Sequence, residues 1–351
     1  SILKNNTLIA NDYIEFNTAS NGHYTIGTIG GNPNSSTDDN KKMLFGHPGG
    51  GTSKTTIVVG ESINEFTSSN VTYDADGSKS VSKASYDGVD VTQELSIIEN
   101  SATGRDDVVK IKYIVKNDTE YAKQVGIRIM MDTMLGGNDA APFRVNGSDV
   151  TTETVYSGSN IPQIWQAFDS ATNPGVVAQG TFYKSGDRKP DKVQFTNWGN
   201  VTSTLWDYVT QPGRSNGDSA VSITWNKDTF TSGETREFVT YYGLSELEQN
   251  LIPPLALSVY ADNKVSISNF NYDDINANVY LDNIGDGDAT DVSIKITADN
   301  LEPKYGTSLT HNYSVIKPSK SYSIPLKFIV PTDSKHNSDI NAKLDFELSY
   351  K

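Results

Sequence analysis

The sequence predicts an all-β protein made of two antiparallel β-sandwiches in series, a large one and then a small one. Three observations predict it: side chains that alternate between apolar and polar, turn residues at close spacing, and a proline pair that separates two compositions. The alternation is clearest in Val108–Phe143. Val108, Lys110, Lys112, Ile114 and Lys116 fall on one side of a strand, and Val109, Ile111, Tyr113 and Val115 on the other. That is the period of a strand with one buried and one wet face. After the turn signal Lys116-Asn117-Asp118-Thr119, a second strand turns Val125, Ile127, Ile129 and Met131 one way. A hairpin is therefore expected, ending in the acid- and glycine-rich loop Asp132–Asp139.

Taken in order, the first domain (residues 1–252) opens with strands over Ile2–Glu15 and His23–Ile29 and a polar loop over Gly30–Asn40. The cluster His47-Pro48-Gly49-Gly50-Gly51 lacks the Gly-Lys-Ser/Thr ending of a phosphate cradle and leads into a strand at Thr55–Val59. It reads as a sharp turn under a sheet edge. Further strands are expected at Ser62–Tyr73, Lys79–Tyr86 and Val89–Ile98 before the central pair. After it come Asp149–Tyr156, Ile161–Phe168, Gly175–Tyr183, Lys192–Trp198, Ala220–Trp225 and Glu237–Tyr242. Turn signals every ~8–15 residues suit a large antiparallel sandwich. Ser203–Tyr208 and Ser245–Asn250 have room for one helical turn each.

Leu251-Ile252-Pro253-Pro254 reads as a stiff joint, because proline donates no ladder hydrogen bond. Beyond it, in residues 253–351, Arg and Trp disappear and short strands follow one another. They are expected at Leu255–Tyr260, Lys264–Phe270, Asn276–Asn283, Asp291–Ala298, Leu309–Ile316, Ser321–Ile329 and Asn341–Tyr350. This is the size and rhythm of an immunoglobulin-like β-sandwich. Thirteen acids against nine lysines give this part a charge of -4, which leaves -10 for the first domain.

A net charge of -14 argues against nucleic acid as a partner. No segment approaches the ~20 apolar residues of a membrane span, so no membrane insertion is expected. The absence of cysteine excludes disulfides, thiol catalysis and thiolate metal sites. Ser1 in place of an initiator methionine reads as a processed start whose signal peptide has been removed. The acidic, Asn/Thr/Tyr-rich surface points to an extracellular or cell-surface location.

Val279-Tyr280-Leu281-Asp282-Asn283-Ile284-Gly285, Ala289–Ile294, Ile316-Lys317-Pro318 and Tyr322–Phe328 resemble the immunoglobulin-like, adhesion-related modules of bacterial surface proteins. The resemblance implies spacing or adhesion. The first 250 or so residues resemble a domain of secreted and surface β-sandwich proteins of clostridia and related bacteria. The motifs are Phe45-Gly46-His47-Pro48, Gly104-Arg105-Asp106-Asp107, Asn138-Asp139-Ala140-Ala141-Pro142-Phe143 and Asn197-Trp198-Gly199. The long strands flanking Asn117 are also similar to the supersandwich of sugar mutarotases and polysaccharide-processing enzymes. Mutarotase chemistry needs two histidines and a carboxylate, whereas His23 and His47 here stand in no recognisable motif of that family.

Asp132, Asn138 and Asp139, with Glu153, are candidate oxygen ligands for Ca2+; the competing reading makes the aspartates turn caps. Asp106, Asp107, Asp132 and Glu153 are conceivable acid and base on a glycosidic bond. Trp165, Trp198 and Trp206, with Asp207, are candidates for stacking and hydrogen bonding to a glycan, against the reading in which tryptophans fill the core. Arg128 shares a strand face with Gly126 and Met130 and is expected in a buried ion pair. Ile2, Leu3, Leu8 and Ile9 are candidates for assembly, because an N-terminal edge strand can pair with a neighbour. The expected function is a non-enzymatic structural protein, a subunit or spacer of a bacterial surface layer or appendage. It would associate with itself or with other surface proteins. The alternatives are a carbohydrate-binding adhesion protein and a sugar-active enzyme.

Overall fold

A computed structural model describes residues 8–74, 77–100, 103–146, 148–245, 255–261, 274–283, 287–318, 320–331 and 341–351. The structure is all-β, with antiparallel pairing throughout the described sheets. The chain divides into two compact units: the first takes in most of the chain to Glu246, the second chiefly Leu247–Lys351. The proline joint and the strand expected at Lys264–Phe270 lie outside the described residues, as do Ile2 and Leu3.

In the first unit two sheets face one another. One has six strands, in the order Thr154–Ser157, Lys192–Asn197, Ser219–Phe230, Lys123–Asp132, Lys54–Val59 and Ser62–Glu65. The other has nine, in the order Ser148–Val150, Phe143–Val145, Ile164–Phe168, Val177–Thr181, Thr235–Leu244, Arg105–Asn117, Val89–Asn100, Lys79–Tyr86 and Val71–Tyr73. A separate three-stranded sheet joins Leu8–Ala10, Ile14–Thr18 and Tyr24–Thr28.

The expected central hairpin is not one. Arg105–Asn117 alternates buried and wetter residues as its sequence demands, but pairs with Val89–Asn100 and Thr235–Leu244 in the nine-stranded sheet. Lys123–Asp132 pairs instead with Ser219–Phe230 and Lys54–Val59 in the other sheet. The link between them is an arch from sheet to sheet. Asn117, fully buried, pins it by donating to the carbonyls of Tyr121 (2.7 Å), Phe230 (3.1 Å) and Thr231 (3.1 Å). The segment expected as one strand over Ser62–Tyr73 is divided the same way: Ser62–Glu65 joins the six-stranded sheet and Val71–Tyr73 the nine-stranded one.

Between the sheets lies one apolar core. Val109, Ile111, Tyr113 and Val115 meet Ile57, Val125, Ile127, Ile129, Val221 and Ile223, and Tyr113 bridges to Thr55 Oγ1 at 2.6 Å. Trp165 stacks on Tyr242 (ring centroids 5.3 Å apart) and Phe182 (6.0 Å). Gly180, its cross-strand partner, leaves the room: a Cβ there would come within 2.0 Å of the indole. The six-stranded sheet is buried on its outer face as well. Met130, Ala220, Val201 and Tyr208 make a second apolar cluster there, with Trp198 packed against it. Its cover begins with one helical turn at Trp198–Val201, capped by the Asn197 side chain, which accepts from the Asn200 amide. The expected turn at Ser203–Tyr208 is thus irregular chain, and the helical turn precedes it.

The second unit packs the sheet of Leu255–Ala261, Ile275–Asn283, Ser321–Ile329 and Glu302–Pro303 with that of Thr310–Ile316, Ala289–Asp299 and Lys343–Ser349. Val279, Leu281, Ile294, Ile316, Leu326 and Phe328 form its core. Asn283 ties the sheets together by donating to Ile316 O at 2.7 Å.

Candidate functional site

Three carboxylates converge at one end of the six-stranded sheet. Asp132 is the last residue of the strand Lys123–Asp132, Asp139 lies in the loop after it, and Asp218 directly precedes the strand Ser219–Phe230. One oxygen from each lies within 4.8 Å of those of the other two. The backbone fixes this geometry. Thr133 N donates to Ser219 O (3.0 Å), Ser219 N to Asp139 O (2.9 Å), and Trp198 N to Asp218 O (2.6 Å). Asp132 is further held by Phe45 N on its carbonyl (2.9 Å) and by its own amide on Ser53 Oγ (3.0 Å).

Asp132 is 2 % exposed. Thr52 donates its hydroxyl to Oδ2, while Oδ1 is buried and receives no hydrogen bond from the protein. Burial pushes its carboxyl up to about 7, with Thr52 opposing and the charges of Asp218 and Asp139 adding to the rise. Burial also raises Asp218, helped by Asp139, and raises Asp139 against the pull of Lys42. Such a group either shares protons or takes up a hard cation.

Sequence reasoning placed Asn138 and Glu153 with these acids, and the structure separates them. Asn138 donates to Asp169 O (2.8 Å) and accepts from Ala140 N (2.9 Å), closing the loop. Glu153 is 2 % exposed and lies in the outer layer. It accepts from Thr196 Oγ1 (2.9 Å), Asn200 Nδ2 (2.8 Å), the Tyr208 hydroxyl (2.9 and 2.8 Å) and Gln211 N (2.7 Å). Burial works against its charge, but the Gln211 amide and the Asn200, Tyr208 and Thr196 donors outweigh it and hold the carboxyl below its ordinary value. Asp218 was missed: a lone acid before a strand carries no motif, and only the fold brings it to Asp132.

The remaining candidates scatter. Trp165 is 1 % exposed in the core, so it offers no stacking surface. Trp206 packs on the outer sheet face where Gly126 lacks a side chain; a Cβ there would come within 2.6 Å of the ring. Trp198 packs on the outer apolar cluster, and Asp207 is exposed, 3.6 Å from Lys192. Arg128 is buried but its hydrogen bonds run to the carbonyls of Thr204 (2.9 Å) and Trp206 (3.3 Å), in place of the expected ion pair. Burial lowers its guanidinium to about 10, against the charge of Asp207. Asp107 is held by Asn100, Thr103 and Arg105 at 2.8, 2.8 and 3.2 Å, whereas its neighbour Asp106 is exposed. His47 lies between Glu15 (2.9 Å) and Thr25 (3.0 Å), and His23 lies 3.0 Å from Glu65. Leu8, 43 % exposed, and Ile9 sit on the outer strand of the three-stranded sheet.

No family model and no curated protein matches the chain. Among solved structures it is similar to a polysaccharide lyase (TM-score 0.42, 10% identity), covering 98% of this chain and 45% of the lyase. It is also similar to a galactose mutarotase-like protein from Lactobacillus casei (0.42, 9% identity), covering 68% of this chain and 99% of that one. A galactose mutarotase related enzyme from Lactobacillus acidophilus follows (0.36, 7% identity), covering 68% and 97%. The chain thus spans less than half the length of the lyase. Among the described residues no helix is long and apolar enough to cross a membrane.

Proposed function

We propose that the chain is a non-enzymatic structural protein of the cell exterior, a subunit or spacer of a surface layer or appendage. It associates with itself or with other surface proteins. The supporting observation is the work given to the groups a sugar-active site would need at hand. Glu153 is saturated with donors from the segment it fastens, and His47 is held between Glu15 and Thr25. Side chains spent in this way make a rigid body, not a reactive one. The strand Leu8–Ala10 at a sheet edge offers a place for association. The test compares the full chain with one lacking residues 1–10 by sedimentation and negative-stain micrographs. Assemblies that vanish on deletion while the far-ultraviolet spectrum persists support the reading; equal particle sizes refute it.

A second reading, a sugar-active enzyme, is favoured by Asp132, a buried acid beside two others. Turnover of a sugar substrate that Asp132→Asn abolishes would carry it. Turnover unaffected by that substitution would take Asp132 out of the reaction, and no turnover of any sugar tested would remove the reading.

A further inference from the structure

We infer that Asp132, Asp139 and Asp218 form a binding site for a divalent cation, with Ca2+ the ion the donor set fits. The inference is independent of the structural reading above, since enzymes and scaffolds both carry such ions.

Two buried acids of the first unit that serve packing are well supplied with donors, while a third, Asp38, also keeps a buried Oδ1 without one. Glu153 and Asp107 each receive hydrogen bonds from three or more residues. At the cluster this provision stops. Asp132 is 98% removed from solvent by its 2 % exposure, yet Oδ1 has no donor, and Asp139 Oδ1 is likewise buried without one. Thr52 serves only the other oxygen of Asp132. Among the described residues no lysine or arginine forms an ion pair with any of the three acids, and Lys42 acts on Asp139 only through its charge. Buried carboxylate oxygens without donors are unfavourable unless a proton or a cation satisfies them.

The chemistry selects the ion. Every donor is a hard oxygen, and no histidine or thiol stands in the group, which disfavours zinc and copper. Ligands around one Ca2+ sit at about 2.3–2.6 Å, so two of them can be as much as ~4.6–5.2 Å apart. The 4.8 Å limit on the three oxygens lies within that span. Mg2+ holds its ligands at about 2.0–2.1 Å, so two of them lie no more than ~4.2 Å apart, a tighter span than Ca2+ allows. A bound ion would tie the Asp132–Asp139 loop to the start of the strand Ser219–Phe230. It would add a charge-neutralising link where the protein provides none.

The test strips the full chain with EDTA and titrates Ca2+ by calorimetry, with thermal unfolding in parallel. Saturable one-to-one binding is expected, with a dissociation constant of about 10⁻⁴–10⁻³ M, the range of extracellular modules. At ten times that concentration the folding equilibrium should shift by about elevenfold towards the native state. Tb3+, an oxygen-seeking ion of similar size, should compete with Ca2+ in the same titration. Asp218→Asn should weaken binding at least about tenfold through loss of one ligand charge, while the exposed Glu61→Gln keeps it. Should Asp218→Asn not fold, Asp132→Asn decides: it removes the raised buried charge and should fold without responding to Ca2+. No heat and no midpoint shift with about 10 mM Ca2+, well above that range, would overturn the site. So would an equal response in either aspartate variant, and an equal response to Mg2+ would overturn the assignment to Ca2+.

Discussion

Replacing Glu153 by glutamine should loosen the outer layer of the first unit while leaving both sheets in place. The carboxylate is 2 % exposed. Oε1 serves Thr196, Asn200 and Tyr208, and Oε2 serves Tyr208 and Gln211 N. Glutamine keeps one acceptor and sets an NH2 against donors at the other position. In the better of its two orientations the Gln211 amide loses its acceptor, because the Tyr208 hydroxyl can turn and a backbone N–H cannot. One charge-assisted bond lost and one buried donor unpaired amount to about 2–4 kcal/mol. Hydrogen exchange within residues 198–211 should therefore quicken by about 30- to 1000-fold. The strand Arg105–Asn117 should stay protected to the limit of global unfolding. Since the folded Glu153 lies below its ordinary 4.5, its stabilisation is present above that value and is lost as pH falls through the folded one. The variant should lack this acid-sensitive step. Unchanged exchange in the segment would refute the view that Glu153 fastens it.

Other perturbations test other joints. Asp282 is 6 % exposed, and burial raises its carboxyl to about 6 against the Ser321 hydrogen bond. A raised acid takes up protons on folding, so about 3 kcal/mol of stability should be lost in all as pH climbs from about 3 to about 7, roughly 2 kcal/mol of it between 4 and 6. Hydrogen exchange in Ile275–Asn283 should follow that loss, and Asp282→Asn should flatten it. Gly180→Ala forces a methyl into the Trp165 indole and should cost about 2–3 kcal/mol, lowering the melting temperature by about 4–12 °C; Trp165→Phe in the same chain should recover part of it. Gly126→Ala should displace Trp206, seen as a red shift in tryptophan emission, with little change in the inner core.

The strands were legible where one face is wet and the other dry. Arg105–Asn117 and Lys79–Tyr86 declare themselves because Val, Ile and Tyr alternate with Lys, Asp and Ser. Their partners were not legible. A period of two states which way side chains point, and a short polar link serves an arch as readily as a hairpin. Only the carbonyls of Phe230 and Thr231, presented to Asn117 from a distant stretch of chain, decide it. In Lys123–Asp132 both faces are covered, and Gly126 and Arg128 could not signal the layer that Trp198–Val201 begins. Asp132 and Asp139 were readable as acids in a tight loop, and Glu153 was joined to them by its nearness in sequence. The fold sends Glu153 to the outer layer and brings Asp218 instead, a position set by strand pairing and carried by no local pattern.

The measurement that bears most directly on the account is the mass and shape of the purified full chain across a range of concentrations, by sedimentation and micrograph together. Regular assemblies that disperse when residues 1–10 are removed are the predicted result. A monodisperse 38.3 kDa particle that converts a sugar at every concentration tested would contradict it.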